Sequence, residues 1–530
     1  MAKFIIVCGG VISGTGKGVA SASIGLLLKS RGHKVTAIKF DGYIGSASTL
    51  SPTEHGEVFL CDDGSETDLD LGYMERLIGI TTNKNNICTS GTLMKELITE
   101  QENGVYLGST VQIFPHYTQK VINRLESLSK DNDIVMVEIG GTVGDIESAA
   151  YYEAIREFKQ KHPKDVILIM VAPILWIPTI QEFKTKPLQN SLRELQHAGL
   201  QADVLLCRVD RPVPDKILDK ISKLTGIERD CIFDAPDVKS IYEVPIEYYN
   251  RHVDDICVDL LNLKRSYCRI HRYKELLDKP AEYSVNIGVV GKYANSTEAY
   301  LSIKEALIHA GIHNSAKIEI KWIDAQEIEQ KGAEALSALH GVIIPGGFDK
   351  RGVEGKIKAI QYAREHKLPF LGICLGLQCA VIEFARNVLH KPKANSQEFE
   401  KDCAEPVVHF VKGQENIVQK SGTMRLGAYD CELIKNTLAF DLYEGKKIIS
   451  ERHRHRLEVN NNYLEEYKKH GLITSGINPV SGLIEIMELD REIHPFFIGT
   501  QAHPEFKSKL AEPAPLFRGL VKAAIKKVSK

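Results

Sequence analysis

The chain has 530 residues and a formal net charge of −2 at pH 7, a length that suggests about two to four domains. Hydrophobic residues make up 43% and charged residues 26% of it, an ordinary globular composition. The near-neutral charge argues against a dedicated nucleic-acid-binding protein, because such proteins need a positive excess to neutralise phosphates. The 11 cysteines include no Cys-x-x-Cys pair, which argues against a disulfide framework or a zinc site and favours a reducing compartment.

The apolar runs are too short to indicate targeting or a membrane span. The N-terminal run Phe4–Val7 ends at two glycines and is too short for a signal peptide. The richest apolar stretch, Val166–Ile180, contains Pro173 and Pro178 and falls short of the ~18 residues of a spanning helix. We interpret this stretch as buried core and expect a cytoplasmic protein without a membrane partner.

The first half of the chain alternates short apolar runs with helical patterns. The predicted strands are Phe4–Cys8, Lys34–Phe40, Ile134–Ile139, Val166–Val171 and Val204–Val209, and the predicted helices are Gly18–Ser30 and Leu188–Ala198. Such alternation predicts a mainly parallel sheet covered on both faces.

A second cycle begins after residues 263–283, which are rich in Lys, Arg and Tyr and which we interpret as a linker. Strands are predicted at Val285–Val290, Ile318–Ile323, Gly341–Ile344 and Phe370–Ile373, and helices at Leu301–Ala310 and Leu375–Ala385. The sequence therefore predicts two α/β domains, 1–262 and 284–530, each a doubly wound, mainly parallel sheet.

A glycine-rich segment follows the first predicted strand and opens the first predicted helix. It reads Gly9-Gly10-Val11-Ile12-Ser13-Gly14-Thr15-Gly16-Lys17-Gly18. Glycines let backbone N–H groups approach phosphate oxygens, a helix N-terminus favours anions, and Lys17 would reach a β- or γ-phosphate. The match to the standard phosphate loop is imperfect, because the first glycine lies one position too far away and Gly18 replaces Ser or Thr. A glycine-rich turn without a ligand is the alternative.

Two acidic residues predict a magnesium site beside that loop. Glu138 ends an apolar strand, the usual position of a metal-coordinating acid in such folds, and Asp70 closes the acidic run 62–70. Taken alone, the run is more simply a solvated surface. Lys184-Thr185-Lys186, just before a predicted helix, suggests a second anion site, although surface lysines commonly bind nothing specific.

The second half contains a pattern typical of a cysteine nucleophile. An apolar strand leads into Gly372-Ile373-Cys374-Leu375-Gly376 and then a helix, the thiol counterpart of a nucleophile elbow. A helix N-terminus stabilises a thiolate, and the Leu375 N–H and Gly346-Gly347 offer oxyanion donors. His503 would take the proton of Cys374, and Glu505 would orient the imidazole. An inert core cysteine is the alternative, and it fits Cys379 better than Cys374.

The basic run Ser450–Arg456 resembles a nucleic-acid patch, an interpretation that the near-neutral chain disfavours. Arg456 would instead pair bidentately with the α-carboxylate of a substrate.

Together these motifs resemble the CTP synthase family over about Phe4 to Phe517. The matching segments are Gly9–Gly18, Ser51–Phe59, Glu66–Gly72, Glu138–Ser148, Lys184–Pro187 and the set around Cys374 and His503. The resemblance implies the last step of de novo CTP synthesis: ATP phosphorylates UTP on its 4-oxygen, and ammonia released from L-glutamine displaces the phosphate after passing between the domains near Pro52, His55 and Val58.

The resemblance also implies the ligands of the first domain. ATP would bind at Gly14, Thr15, Gly16, Lys17, Gly18, Val19, Asp70 and Val238, with Lys17 acting on the phosphates and Asp70 and Glu138 holding Mg²⁺. UTP, and CTP as feedback inhibitor, would bind at Ser13, Asp145, Ile146, Glu147, Lys184, Thr185, Lys186, Pro187, Leu188, Gln189 and Lys220.

The second domain is similar to class I glutamine amidotransferases. The resemblance implies a Cys374–His503–Glu505 triad, with glutamine positioned by Gly347, Leu375, Gln378, Glu398 and Arg456. It implies GTP as an allosteric activator, with the loop Arg351–Glu354 as a lid. It further implies homotetramers, which in many members form filaments.

The sequence departs from the family in three places: residues 41–49 are altered and one residue short, Asp349 replaces a usual glycine, and Pro236 replaces a polar residue. Two other functions are open at this point. One is a related glutamine-dependent ligase that amidates a cofactor carboxylate. The other is a filament protein that keeps the fold without turnover, which the intact triad and Lys17 disfavour.

Overall fold

A computed structural model of the chain describes residues 2–45, 56–294, 297–348, 350–411 and 424–528. The chain divides into two compact units, Met1–Thr49 with Asp70–Leu277 and Leu50–Leu69 with Asp278–Lys530. Each unit contains a large sheet with helices, so the predicted α/β class is confirmed. Within the described ranges, every helix is too short or too polar to span a lipid bilayer.

The first unit is built on a parallel sheet of the predicted kind. Among the described residues it has seven strands, in the spatial order Ile232–Pro236, Val204–Val209, Val166–Pro173, Lys3–Gly9, Ile134–Ile139, Val35–Asp41 and Ile87–Thr89. Its α-helices are Lys17–Ser30, Leu69–Ile78, Ser90–Glu102, Thr118–Leu128, Ala149–Lys161, Lys186–His197, Asp215–Thr225, Val244–Asn250, Val253–Leu260 and His271–Leu277. The central strands are nearly continuous hydrophobic runs because both of their faces are buried.

The expectation that the whole stretch Val166–Ile180 is buried core is wrong in part. Val166–Pro173 is a fully buried strand, but the apolar stretch does not continue as core. After Pro173, Leu175–Ile177 pairs with Glu182–Lys184 as a separate hairpin, and Leu175 and Ile180 are 39% and 52% exposed. The parallel sheet ends there, since proline lacks the N–H that a further ladder bond would need.

The second unit contains a mixed sheet. Its nine strands within the described residues run in the order Ala316–Asp324, Tyr283–Gly291, Gly341–Ile344, Phe370–Ile373, Phe497–Thr500, Ile484–Leu489, Leu472–Ile477, Arg425–Leu433 and Ile448–His455. The first five are parallel, and the pairs from Phe497–Thr500 onward are antiparallel. The α-helices are Leu301–His313, Ala325–Lys331, Val353–Glu365, Leu375–Asn387, Leu438–Leu442, Leu464–Lys469 and Pro515–Val528.

Two small sheets complete the second unit. Ala394–Ser396, Glu405–Phe410 and Leu457–Val459 form one. Phe59–Leu60 pairs with Glu66–Thr67 in the other, and Phe59 packs edge-on against Phe506 at 5.4 Å between ring centres. The segment 56–69 is thereby part of the unit that carries the cysteine motif.

Candidate active sites

The glycine-rich segment of the first unit forms a loop between the strand Lys3–Gly9 and the helix Lys17–Ser30. Gly14 and Gly16 have φ of 71° and 82°, a left-handed backbone that glycine adopts without strain. Lys17 lies against Gly9 and donates from Nζ to the Gly141 carbonyl at 2.8 Å. The Thr15 hydroxyl oxygen is buried without a hydrogen-bond partner among the described residues. Exposed backbone and a buried hydroxyl are suitable groups for a phosphate ligand.

Two carboxylates meet at the start of that helix. A Cβ on Gly18 would lie 2.9 Å from Asp70 Oδ1 and 3.3 Å from Glu138 Oε2. Lys39 Nζ donates to Asp70 at 2.5 Å and lies 3.2 Å from Asp41. Burial raises the pKa of Asp70, but the charges of Lys39 and then Lys17 outweigh it and hold the pKa below its ordinary value. Asp70 is therefore an ionised acceptor at neutral pH.

Asp70 and Glu138 offer oxygen donors of the kind that Mg²⁺ prefers. No group of three or more His, Cys, Asp or Glu suited to hold a metal occurs within the described ranges. Mg²⁺ prefers oxygen ligands, keeps several waters and commonly uses one or two carboxylates together with phosphates. The close approach of Asp70 and Glu138 to Gly18 is consistent with that arrangement.

The helix that follows Lys184-Thr185, the second predicted anion site, contacts the glycine-rich loop. Ser191, on the helix Lys186–His197, accepts from the Val11 N–H at 3.0 Å and donates to the Pro187 carbonyl at 2.9 Å. The N-terminus of that helix therefore lies beside the segment that contains Ser13. Asp145 caps its own turn by accepting from the Thr142 N–H and hydroxyl at 2.6 and 2.8 Å.

The remaining residues expected to bind UTP differ in accessibility. Lys184 is exposed and paired with Glu182 at 2.5 Å; its hydrogen bond and charge hold the pKa of Glu182 below the ordinary value, with a smaller contribution from the charge of Lys220. Ile146 is 89% exposed, whereas Leu188 is fully buried in the core. The Leu188 side chain is therefore a packing residue, and only its backbone is available to a ligand. Thr185 is also buried, whereas the remaining residues expected to bind UTP are half-buried or exposed: Glu147, Lys186, Pro187 and Gln189. Of the residues expected to bind ATP, Val19 and Val238 are half-buried.

Cys374 of the second unit lies on a strained turn between the strand Phe370–Ile373 and the helix Leu375–Asn387. Its φ is 52° and its ψ is −102°, a region that is costly for a residue with a side chain and is found mainly at functional sites. A Cβ on Gly376 would lie 2.1 Å from the Ile344 carbonyl oxygen, and one on Gly372 would lie 2.8 Å from Gly376. The two flanking glycines are required by this packing.

His503 and Glu505 are next to the cysteine. Glu505 Oε1 lies 2.7 Å from His503 Nδ1, and a Cβ on Gly346 would approach both the His503 ring, at 2.7 Å, and Cys374 Cβ, at 3.6 Å. Burial lowers the pKa of His503, but the charges of Glu505 and Cys374 outweigh burial and raise it from 6.5 to about 10. The imidazole is thus poised to hold a proton beside the sulfur.

Of the residues expected to position glutamine, Leu375 and Gln378 lie on the helix that follows Cys374, and Arg456 pairs with Glu398. Arg456 Nη2 lies 3.5 Å from Glu398, and its buried Nε has no hydrogen-bond partner among the described residues. Gln378 is buried one turn into the Cys374 helix, and its backbone N–H donates to the Cys374 carbonyl at 3.2 Å. Leu375 is buried directly after the nucleophile.

Cys374 lines a cavity of about 130 Å³. His503, Gly347, Glu57 and Val58 are also among the residues that line it, all of them in the second unit. Pro52, His55 and Asp349 lie outside the described residues, as do positions 46–49 of the altered segment. Arg351 of the expected lid donates to the Lys292 carbonyl at 3.2 Å, and Gly352 caps the next helix with φ of 74°.

Comparison with known proteins identifies both halves of the chain. A family model described as the CTP synthase N-terminus matches residues 3–263, and one described as class-I glutamine amidotransferase matches residues 296–523. A CTP synthase of Methanococcus maripaludis is 46% identical over 99% of this chain and 100% of its own length. One of Methanocaldococcus jannaschii is 47% identical over 99% and 98%. The chain belongs to the CTP synthase family.

A solved structure is also similar to part of the chain. It is the glutaminase domain of Trypanosoma brucei CTPS with bound acivicin, which is 36% identical and covers 46% of this chain and 94% of that domain, with a TM-score of 0.43. Membership of the CTP synthase family rests on the full-length relatives.

The structure adds residues to the CTP synthase site that the sequence did not indicate. Gln501 is fully buried and its Nε2 lies 3.5 Å from Cys374 Sγ. Arg452 and Arg454 pair at 2.6 Å with Asp62 and Glu66 of the acidic run, which is therefore not the solvated surface that composition suggested. Gln501 stands two positions before His503 in the chain, and that proximity was the only available indication.

Proposed function

We propose that this chain makes CTP by aminating UTP at carbon 4, consuming ATP and taking the nitrogen from L-glutamine. Membership of the CTP synthase family supports the overall reaction. The observation that supports the residue roles most is Cys374 in a left-handed turn beside the His503 imidazole, because a strained nucleophile next to a base is the arrangement that acyl transfer needs.

The second unit would hydrolyse glutamine. The Cys374 sulfur attacks the side-chain amide carbon, forming a C–S bond while the amide oxygen becomes an oxyanion near the Leu375 and Gly347 N–H groups. His503 gives its proton to the leaving nitrogen, the C–N bond breaks, and ammonia departs. Water activated by His503 then cleaves the thioester, releasing glutamate and restoring the cysteine. Glu505 keeps the imidazole in the orientation that both transfers require.

The first unit would use that ammonia. Residues Gly14–Val19 and Lys17 hold the phosphates of ATP, and the γ-phosphoryl group passes to the 4-oxygen of UTP, leaving ADP. Ammonia then forms a bond to carbon 4, and phosphate leaves. Lys17 stabilises the charge on the transferred group, and the cations around Lys184–Gln189 hold the UTP triphosphate.

Several further expectations extend this proposal. Asp70 and Glu138 would hold Mg²⁺, which when bound neutralises charge on the triphosphate of ATP. GTP would activate glutamine use, CTP would inhibit at the UTP site, and the protein would act in the cytoplasm as a homotetramer capable of forming filaments. Family membership supports these points, and each stays a prediction.

A cysteine substitution tests the proposal. Cys374→Ala should abolish CTP formation from UTP, MgATP and glutamine but preserve it with ammonium salts, because the first unit is intact. Cys379→Ala is the matched control, since Cys379 is buried in the same helix and fits an inert core residue. Equal loss of both activities in Cys374→Ala, or no CTP from the folded wild-type protein, would contradict the proposal. In that second case, stabilisation by carboxylate cofactors but not by UTP would indicate the related amidating ligase.

A further inference from the structure

Three amide and carbonyl groups form a chain of hydrogen bonds that ends on the sulfur of Cys374. Gln378 Nε2 donates to the Leu457 carbonyl at 3.1 Å and to Gln501 Oε1 at 3.2 Å. Gln501 Nε2 then donates to Cys374 Sγ at 3.5 Å. Both glutamine side chains are buried, at 3% and 0% exposure, so water does not compete for these bonds.

The direction of this chain is fixed by its first group. A backbone carbonyl only accepts hydrogen bonds, so the Leu457 oxygen requires the NH₂ group of Gln378 to face it. The second proton of that NH₂ group is then directed to Gln501, whose oxygen must accept it. The Gln501 amide is thereby oriented with its own NH₂ group towards the sulfur, and a flipped amide would oppose two donors.

The hydrogen bond from Gln501 is stronger to a thiolate than to a thiol. The Gln501 donor lies 3.5 Å from the sulfur, closer than the Arg454 carbonyl at 3.9 Å. A neutral thiol is a weak acceptor, whereas a charged acceptor about doubles the strength of a hydrogen bond. The buried Gln501 donor is therefore satisfied best when Cys374 is a thiolate.

We infer that Gln501 is a further catalytic residue of the glutaminase reaction, acting as a neutral hydrogen-bond donor to the Cys374 thiolate, and that Gln378 is the positioning residue that orients it. The inference rests on the proposed function of the second unit. The raised pKa of His503 agrees with it, because an imidazolium and a thiolate side by side stabilise each other.

The experiment measures the sulfur directly and does not need UTP or ATP. Iodoacetamide is added to the full-length protein over a range of pH, and the modification of Cys374 is followed by mass spectrometry of its peptide. In Gln501→Met, which keeps the size but removes the donor, alkylation at neutral pH should be about tenfold slower, and its pH profile should move up by about one unit. Gln378→Met should shift the profile in the same direction by less.

Controls separate a chemical effect from a folding effect. Gln361→Met changes an amide on the helix Val353–Glu365, whose side chain bonds to Glu365, and should leave the profile unchanged. Thermal unfolding reports whether each variant is folded. If Gln501→Met is unfolded, the isosteric Gln501→Glu decides, with slower alkylation expected because it replaces the donor by an acceptor. A wild-type alkylation profile in the folded Gln501 variant would overturn the inference.

The alkylation measurement distinguishes failure of this inference from failure of the proposed function. If the wild-type protein makes no CTP, the proposed function fails, yet the alkylation profile still tests the hydrogen bond from Gln501. If CTP is made but the Gln501 profile is unchanged, only the inference fails. A fall in glutamine-dependent kcat together with a shifted profile, at an unchanged KM for glutamine, would support both.

Discussion

Gly376→Ala should disable glutamine hydrolysis through one steric contact. The new Cβ would lie 2.1 Å from the Ile344 carbonyl oxygen and 3.1 Å from its carbon. Carbon–oxygen contacts between packed backbones are normally about 3.3 to 3.6 Å, so the Cys374 helix and the end of the strand Gly341–Ile344 must separate by about 1 Å. Gly346 and Gly347 follow that strand, and their N–H groups and the nucleophile would move apart.

The expected magnitude follows from that displacement. Overpacking a tight site costs about 1–3 kcal/mol of the free energy of unfolding, which a large domain survives. A misplacement of about 1 Å in an active site costs about 100-fold in rate. We therefore expect kcat/KM for glutamine hydrolysis to fall about 100-fold, while CTP formation with ammonium salts is retained, because no residue of the first unit is altered.

The assay is glutamate release under steady-state conditions, beside CTP formation from ammonia. Gly341→Ala is the control on the same strand, because its Cβ first meets the mobile ends of Ile287 at 3.0 Å and Leu520 at 3.4 Å, which can move aside. It should hydrolyse glutamine at nearly the wild-type rate. If Gly376→Ala keeps glutamine hydrolysis within about twofold of wild type, the argument from the 2.1 Å contact is wrong.

Three further expectations concern other parts of the chain. Lys17→Met should abolish CTP formation from both nitrogen sources but preserve glutamine hydrolysis, and equal loss of hydrolysis would contradict separate sites. Arg452→Met should lower the free energy of unfolding by about 1.5–3 kcal/mol in denaturant titration, because a buried guanidinium loses its charge-assisted hydrogen bond to the partly exposed Asp62, whereas the exposed Arg491→Met should cost less than about 1 kcal/mol. The pKa of His503 is raised from 6.5 to about 10, so its stabilising contribution is complete below 6.5 and is lost as the pH rises through about 10. The difference in Tm between wild type and His503→Gln should therefore shrink over that range, and a constant difference would refute the assignment.

The elements that the sequence predicted correctly are those in which local pattern and burial agree. The predicted bounds are those observed for Ile134–Ile139, Val204–Val209 and Phe370–Ile373. Strands of a parallel sheet are buried on both faces, so each is visible in the sequence as a short continuous hydrophobic run. The start of the helix after Cys374 was also predicted correctly, because Gly372 and Gly376 on either side of the cysteine indicate a sharp turn. Local chemistry was thus sufficient for each piece.

Other features depend on partners that are distant in the chain. The segment 56–69 belongs to the second unit because Arg452 and Arg454, nearly 400 residues later, pair with its acids at 2.6 Å. An acidic run and a basic run each look solvated in isolation, and the sequence around each run does not indicate that the two form ion pairs. The antiparallel half of the second sheet was missed for a similar reason, because periodicity does not report the direction in which a strand is paired.

In the candidate glutaminase site, the order of the strands brings together motifs that are far apart in the chain. Three neighbouring parallel strands end at the same edge of the second sheet: Gly341–Ile344, Phe370–Ile373 and Phe497–Thr500, with Ile344 paired to Gly372 and Ile373 to Thr500. The glycine pair, the nucleophile and the Gln501–His503 segment each follow one of these strands, so the register alone brings them together. The strand Phe497–Thr500 also begins the antiparallel half of the sheet, which anchors the histidine segment from its other side. The His503 N–H donates to the Arg452 carbonyl at 2.7 Å, so the arginine that pairs with Asp62 also fixes the backbone of the base. A perturbation of the 56–69 segment should consequently reach the triad through Arg452, a connection that the order of strands creates and that sequence spacing does not contain.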